Sequence, residues 1–365
     1  MKYLAFSIVI LFLISACSSD STDNDNQVIT LNPTNLQVYF PPNNSDEWET
    51  VSVTDLGWDA AAEQPLYDFL EEKETAAFLI LKNGKIVIER YFGDSKQNDN
   101  HAWNSAGKTL TAMTLGIAQE EGYLSLDDAS SDYLGAAWSS LTQEQEAEIT
   151  VWNHLTMTTG LDYEVDDIFC TDPECLLYKN EPGEFWFYHN APYTLLDNII
   201  TGAVGQDFED YFSTKIKARI GMQGAWLPIG YNNVYFSNAR SMARFGILNL
   251  NNGVWDGQTI LGDATFLTDM KNTSQNMNEA YGYLYWLNGK DSYRVPGAAI
   301  ALSGKLIPNA PNDLYAGLGK NDQKLHVVPS EELVIVRLGD DAGETLLGPS
   351  SFDNELWELL NDLMD

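Results

Sequence analysis

Positive charge is what this 365-residue chain has least of: 20 Lys and Arg stand against 53 Asp and Glu, a formal charge of −33 at pH 7. Between Lys2 and Lys73 there is no cationic side chain at all. Nucleic-acid binding needs a basic stripe that neutralises phosphates and releases counterions, so no nucleic-acid partner is expected, and an anionic membrane surface is disfavoured for the same reason. Cysteine is scarce, with three residues, and so is histidine, with four. The chain has neither an HxxxH spacing nor a second close cysteine pair, so neither a metal site nor a cofactor is expected. Gly-rich phosphate cradles are missing too, and no GxSxG elbow precedes any serine of interest. What the chain does have is material for a core: it is 44% hydrophobic and 12% aromatic, with 10 Trp and 18 Tyr. That composition describes a folded globular protein and not a disordered acidic chain.

The apolar run from Leu4 to Ile14, interrupted by Ser7, is too short for the ~20 residues of a spanning helix and has the length of a secretory h-region. It ends in Ile14, Ser15, Ala16 and Cys17, which resembles a bacterial lipobox. On that resemblance residues 1–16 are a lipoprotein signal peptide, and Cys17 is diacylated and becomes the mature N-terminus; the alternative is an ordinary small-residue cleavage site. A lipid anchor at Cys17 implies the bacterial outer membrane, on its periplasmic or cell-surface side. Residues 18–27 are polar and acidic and read as the start of a flexible tether, residues 17–46, that is expected to run through Pro41 and Pro42 to about Asp46 before a catalytic body at 47–365. Removing a lipidated Cys17 leaves Cys170 and Cys175, for which a local disulfide is the preferred reading over two free thiols or a metal site. The acidic run Asp162, Glu164, Asp166 and Asp167 lacks the glycine and spacing of a calcium loop and reads as a solvated face.

Periodicity predicts a helix over Trp58–Glu72 and a hairpin over Ala77–Tyr91 that turns at Asn83 and Gly84. Strands follow at Leu314–Gly319, Lys324–Val328 and Leu333–Leu338, and the chain closes with a helix carrying Leu356, Leu359, Leu360 and Leu363. The middle, from about Thr109 to Leu250, reads as mostly helix and loop. The expected architecture is α/β: an antiparallel sheet made from both chain ends and flanked by terminal helices, with a mainly helical lobe inserted and a cleft where the two meet.

The chemistry sits at NSAGKTLTAM. Leu110, Met113, Ile117 and Ala118 continue a helical period to Gly122, so Ser105 and Lys108 start a helix on one face. At that spacing the lysine leans back toward the helix N-terminus and can meet the serine oxygen, while unpaired N–H groups of the first turn favour negative charge on an attacked carbonyl. By itself SxxK recurs by chance, and an N-capping serine beside an exposed lysine has the same spacing. Tyr188 and Asn190, in PGEFWFYHN, form a YxN arrangement.

Together with ITVWNHLTMTTGLDY at 149–163, RIGM at 219–222, SNARSMARFGILNLNNG at 237–253 and LHVVPSEELVIVRLG at 325–339, the chain resembles the serine β-lactamase and DD-peptidase superfamily. Within it the likeness is to class C β-lactamase-like hydrolases, which include family VIII carboxylesterases and aminohexanoate-dimer hydrolases. The resemblance implies that Ser105 is the acylated nucleophile and that Lys108 and Tyr188 form the proton-transfer pair. Asn190 is then expected to hold Lys108 or the substrate carbonyl. A lysine at its ordinary pKa of ~10.4 is neutral in only about one molecule in 2,500 at pH 7, so it serves as a base only where its surroundings lower that value. If it stays charged, it can stabilise a Tyr188 phenolate that acts as the base instead.

The chain departs from the family at Leu314, Tyr315, Ala316 and Gly317, where β-lactamases and DD-peptidases carry a KTG strand; neither its Lys nor its Thr is present. The small residues still let the strand approach the reacting carbonyl, and the N–H of Gly317 is expected to join that of Ser105 as the oxyanion hole. Loss of the cation weighs against carboxylate-bearing β-lactams and peptides and toward an uncharged ester or amide, with Trp103, Phe185, Trp186, Tyr315 and Ala316 lining the pocket. Two alternatives are a β-lactamase or DD-peptidase, and a catalytically inert binding lipoprotein on the same fold. His101, His154 and His326 read as structural histidines, and His189 as structural or at the cleft rim.

Overall fold

The computed structural model describes residues 38–343 and 349–365. The expected signal peptide, Cys17 and the tether up to residue 37 lie outside the described residues. Helix α1 (Glu63–Glu72) precedes the hairpin of β1 (Thr75–Lys82) and β2 (Lys85–Tyr91). Short β3 (His101–Ala102) leads through a 3-10 turn at Asn104–Gly107 into α2 (Lys108–Glu120). Next come α3 (Asn190–Val204), β4 (Ala225–Ile229), β5 (Asn232–Ser237) and α4 (Ala239–Leu250). The chain returns through β6 (Trp286–Leu287), β7 (Tyr315–Gly319), β8 (Gln323–Val328) and β9 (Leu333–Gly339) to α5 (Ser351–Met364).

The main sheet has the order β2-β1-β9-β8-β7-β6, antiparallel throughout, so strands from both chain ends meet at β1 and β9. Alternation divides it into two faces. One face, with Leu325, Val334 and Val336, packs on α4 so closely that a Cβ at Gly246 would lie 2.3 Å from Val334 Cγ1. The opposite face carries Lys324, His326 and Arg337 toward α5. There Lys324 Nζ lies 2.7 Å from Asp353 Oδ2 and 3.1 Å from Asp322 Oδ1. Trp357 Nε1 donates to His326 Nδ1 at 3.2 Å, which leaves Nε2–H of the neutral imidazole to donate to Asp353 Oδ1 at 3.1 Å. The structural reading of His326 agrees with this.

Two expectations need correction. The body starts before residue 47: Val38 is in the core, Tyr39 N–H donates to Asn83 O at 2.8 Å, and Arg244 donates to Pro41 O and Pro42 O at 3.2 and 2.7 Å. The Pro41–Pro42 pair has no N–H of its own to satisfy, so its bare carbonyls suit a buried guanidinium. Gly84 is required where this arm crosses the hairpin turn, because its φ is +80° and a Cβ would sit 2.0 Å from Tyr39 O. The middle of the chain also contains strand: β3, β5 and β4 form a second antiparallel sheet. Its strands are short, with Gly230 at the turn, and a run of five residues is easily hidden among helical segments.

Candidate active site

The second sheet positions Ser105, the expected nucleophile. Trp103 is wholly buried beside β5, its N–H donating to Tyr235 O and its indole Nε1–H to Ser237 Oγ, both at 2.8 Å. Asn104 then turns the chain with φ of +48°, a left-handed conformation that asparagine tolerates, and its Nδ2 donates to Lys320 O at 2.8 Å. Ser105 therefore sits in the 3-10 turn just before α2, half-buried, and not in the first turn of the α-helix itself. Helix α2 is buried from Lys108 to Ala118, as a helix packed on every side must be.

Lys108 Nζ lies 3.3 Å from Ser105 Oγ and 2.9 Å from Asn190 Oδ1. It also lies 3.8 Å from the ring centre of Tyr193 and 5.3 Å from that of Tyr188. Asn190 thus holds Lys108, one of its two expected roles. Burial drives the lysine pKa down to about 7, with a smaller opposing push from the Asp197 carboxylate. About half of the molecules then carry a neutral amine at pH 7. Tyr188 is buried and hydrogen-bonded to Ser105; it stacks on Trp286 with ring centres 5.7 Å apart and meets Tyr281 edge-on at 6.1 Å. Burial raises its phenol pKa well above the ordinary value, with the Ser105 hydrogen bond opposing. Of the two candidate bases, the neutral lysine is the form the site favours near pH 7, and the phenolate is disfavoured.

Strand β7 lies directly against the serine turn. A Cβ at Gly317 would be 3.1 Å from Ala106 O, and one at Gly319 would be 2.3 Å from Trp103 O. The strand's parity overturns the expected oxyanion donor. Asn288 N–H donates to Leu314 O at 2.9 Å, so the peptide groups of Leu314, Ala316 and Leu318 face β6, while those of Tyr315, Gly317 and Gly319 face β8. The Gly317 N–H is directed at Leu325 in β8, whereas the Leu318 N–H points past the end of the β6 pairing at Trp286.

The expected pocket lining is also corrected. Tyr315 is in the core, its hydroxyl donating to Asn249 O at 2.9 Å, and Ala316 is buried with its peptide turned to β6. Trp186 is wholly buried behind Tyr188, against Tyr281 and Trp286, and Trp103 is core. Of the aromatic residues named, only Phe185 reaches the surface. It joins Tyr163 and Phe187 in a stacked wall, with Tyr163 3.9 Å from Phe187 and 5.4 Å from Phe185 between ring centres. Arg294 lies over Phe185 at 5.5 Å, with Nε and Nη1 buried and without hydrogen-bond partners among the described residues. His189 is buried and driven down to about 4 by desolvation, so it is neutral near pH 7.

The Cys170–Cys175 disulfide is present, and Ala191 N–H in the first turn of α3 donates to Ile168 O at 3.0 Å just upstream of it. Sequence reasoning missed Tyr193, Asp197, Tyr281, Arg294 and Leu318. Helical spacing from Asn190 could have found the first two; the others depend on contacts distant in sequence. Among the described residues no cluster of three His, Cys, Asp or Glu could hold a metal ion, and no helix is long and apolar enough to cross a membrane.

The β-lactamase family profile matches residues 68–345. The chain belongs to that family. Its members are serine hydrolases of the β-lactamase fold, and the present member has the mixed α/β architecture and antiparallel sheet of its structural neighbours. It is 21% identical over 314 residues to the 6-aminohexanoate-dimer hydrolase of Paenarthrobacter ureafaciens, covering 74% of this chain and 73% of that one. A protein of Bacillus subtilis strain 168, provisionally named penicillin-binding protein PbpX, is 30% identical over 162 residues, 40% of each chain. Among solved structures, one from Bacillus anthracis provisionally described as a 6-aminohexanoate-dimer hydrolase superposes with a TM-score of 0.68 at 20% identity, over 90% of this chain and 89% of that one. At this identity the superposition speaks to the fold alone.

Proposed function

We propose that this β-lactamase-family member cleaves an ester or amide bond of a small substrate through an acyl-enzyme on Ser105. The observation that carries the reading is the approach of the Lys108 amine to Ser105 Oγ, 3.3 Å apart in a site whose burial brings the amine to about 7. Neutral Lys108 takes the Ser105 proton as Oγ bonds to the carbonyl carbon. The oxyanion accepts hydrogen bonds from the N–H groups of Ser105 and Leu318. As the bond to the leaving oxygen or nitrogen breaks, Tyr188 passes it a proton and is reprotonated from the Lys108 ammonium. Water then attacks the acyl ester and gives its proton to the same pair, which restores Ser105. The Paenarthrobacter relative, named for hydrolysing a dimer, supports the amide branch.

Loss of the KTG cation, with Leu314 standing where that lysine is expected, supports an uncharged substrate. A second reading, a substrate bearing a carboxylate as β-lactams and DD-peptidase substrates do, is favoured by the unpaired Nε and Nη1 of Arg294. Export and lipidation at Cys17 belong to the same proposal; incorporation of labelled palmitate should vanish in Cys17→Ala. The deciding experiment is fluorophosphonate labelling of Ser105, followed by neutral p-nitrophenyl esters and amides against nitrocefin. Labelling and ester turnover, both lost in Ser105→Ala, support the reading. Slow labelling with no turnover of any substrate would favour the inert binding protein, and nitrocefin turnover at an ordinary enzyme rate would restore the β-lactamase.

A further inference from the structure

Asn190, Tyr193 and Asp197 form one stripe of α3, spaced three and four residues apart, and this helix packs against α2. The first two residues touch the Lys108 amine, through the Asn190 hydrogen bond at 2.9 Å and the Tyr193 ring at 3.8 Å. Asp197 lies one turn further. Its Oδ2 accepts from Asn233 Nδ2 of β5 at 3.0 Å, and its Oδ1 is buried with no hydrogen-bond partner among the described residues. A carboxylate with a buried, unpaired oxygen is an expensive way to fill space, which an asparagine or an apolar residue would fill at lower cost. We infer that Asp197 is a positioning residue for the reaction, a buried carboxylate one helical turn beyond Tyr193 that sets how firmly Lys108 holds its proton. This rests on the reading of Lys108 as the base.

The groups facing each partner support this. Lys108 is met by Ser105, Asn190, Tyr188 and Tyr193, none of them an anion near neutral pH, so among the described residues Asp197 is the carboxylate that acts on it. Asp197 is met by Asn233, by the Lys108 charge, by the buried Tyr193 phenol and by the more distant Asp207. Asp207 is occupied capping the next helix, where it accepts from Glu209 N–H at 2.8 Å. Burial raises the Asp197 carboxyl to about 7, Asn233 and Lys108 pull it back, and Asp207 adds to the rise. Amine and carboxyl therefore titrate in the same range, and each charge favours the other. An ionised Asp197 strengthens the ammonium, so its removal should free the amine at lower pH.

The test is the pH dependence of kcat/KM for a neutral p-nitrophenyl ester, paired with an NMR titration of the Lys108 side chain, which needs no turnover. In Asp197→Asn the kinetic limb governed by Lys108 should move down by about half a pH unit, roughly threefold in rate at a pH on that limb, with the plateau retained. The amine titration should move with it, and Asp197→Glu should move both back. Asn233→Ala should act in the same direction, because a carboxyl without its donor is more readily protonated; it serves if Asp197→Asn does not fold. An unmoved Lys108 titration, or a uniform loss of rate at every pH, would overturn the inference and leave Asp197 a packing residue. Failure of Ser105 to label in the wild type is a separate result: it removes the hydrolase reading, while the NMR titration still decides whether Asp197 governs the amine.

Discussion

Two buried lysines on opposite sides of the main sheet show what separates a structural cation from the proposed base. Lys324 is fully enclosed but has Asp353 at 2.7 Å and Asp322 at 3.1 Å, and the cluster is completed by His326 and Trp357. Lys108 is enclosed as well, but its immediate neighbours are an amide oxygen, a hydroxyl and two aromatic rings, with a carboxylate only behind them. Burial alone is the same in both places. The first has two carboxylates within ion-pair distance, and the lack of such contact lets desolvation free the amine at the second. Lys271 resembles Lys108: it is buried, donates to Asn249 O and Asn252 Oδ1 at 3.0 Å each, lies 5.1 Å from the ring centre of Tyr315, and is driven down by desolvation to about 7. With no nucleophile among those partners, the low value has no chemistry to serve, so a depressed amine marks a site only in company.

Exchanging each lysine for methionine should separate the two roles. Lys108→Met is expected to lower kcat on a p-nitrophenyl ester by about a thousandfold or more while the melting temperature holds or rises, since a costly buried amine has been removed. Lys324→Met should do the opposite, losing roughly 3–5 kcal/mol in chemical denaturation because Asp353 and Asp322 are left uncompensated, with the activity per folded molecule retained. Equal effects on rate and stability at both positions would erase the distinction.

The pH dependence sharpens it. The folded pKa of Lys108 lies below its unfolded value of ~10.4, so the unfolded chain binds more protons between about pH 7 and 10, and stability should rise across that window by an amount on the order of a few kcal/mol that Lys108→Met lacks. Lys271 contributes in the same sense. On the other face, burial tends to raise the Asp353 carboxyl, but the Lys324 charge and His326 outweigh it and hold it below the ordinary range. Its contribution is present above the unfolded value of ~3.9 and is lost as the pH falls through the lower folded value, so Asp353→Asn should flatten the acid limb of a melting-temperature profile. The smallest expected effect lies at the cleft wall. Arg294→Gln should cost up to about tenfold in kcat/KM on a carboxylate-bearing ester and leave its neutral analogue unchanged; equal losses on both esters would make Arg294 a packing residue.

Much of the fold was legible locally. The β1–β2 hairpin, β7 to β9 and α5 lie close to where alternation and helical spacing put them, because these patterns follow from the backbone's own periods. The β4–β5 strands were hidden by their brevity, and the docked arm because its partners Arg244 and Trp255 lie some two hundred residues away. At the site, the meeting of Ser105 and Lys108 was legible for the same reason as the helix that follows them. The roles expected of Tyr315, Trp186 and Gly317 did not survive, since a side chain's face and an amide's direction depend on which strand or helix packs beside them.

The sequence by itself determined that a hydroxyl and an amine share one side of a turn and its helix, and that strands from both chain ends are available to form a sheet; both follow from spacing along one segment. Tertiary structure alone decided which amide of β7 is free, which aromatic side chains are core and which carboxylate stands behind the amine. Those properties depend on strand pairing and burial, and burial is what moves the amine into the range where it can accept a proton.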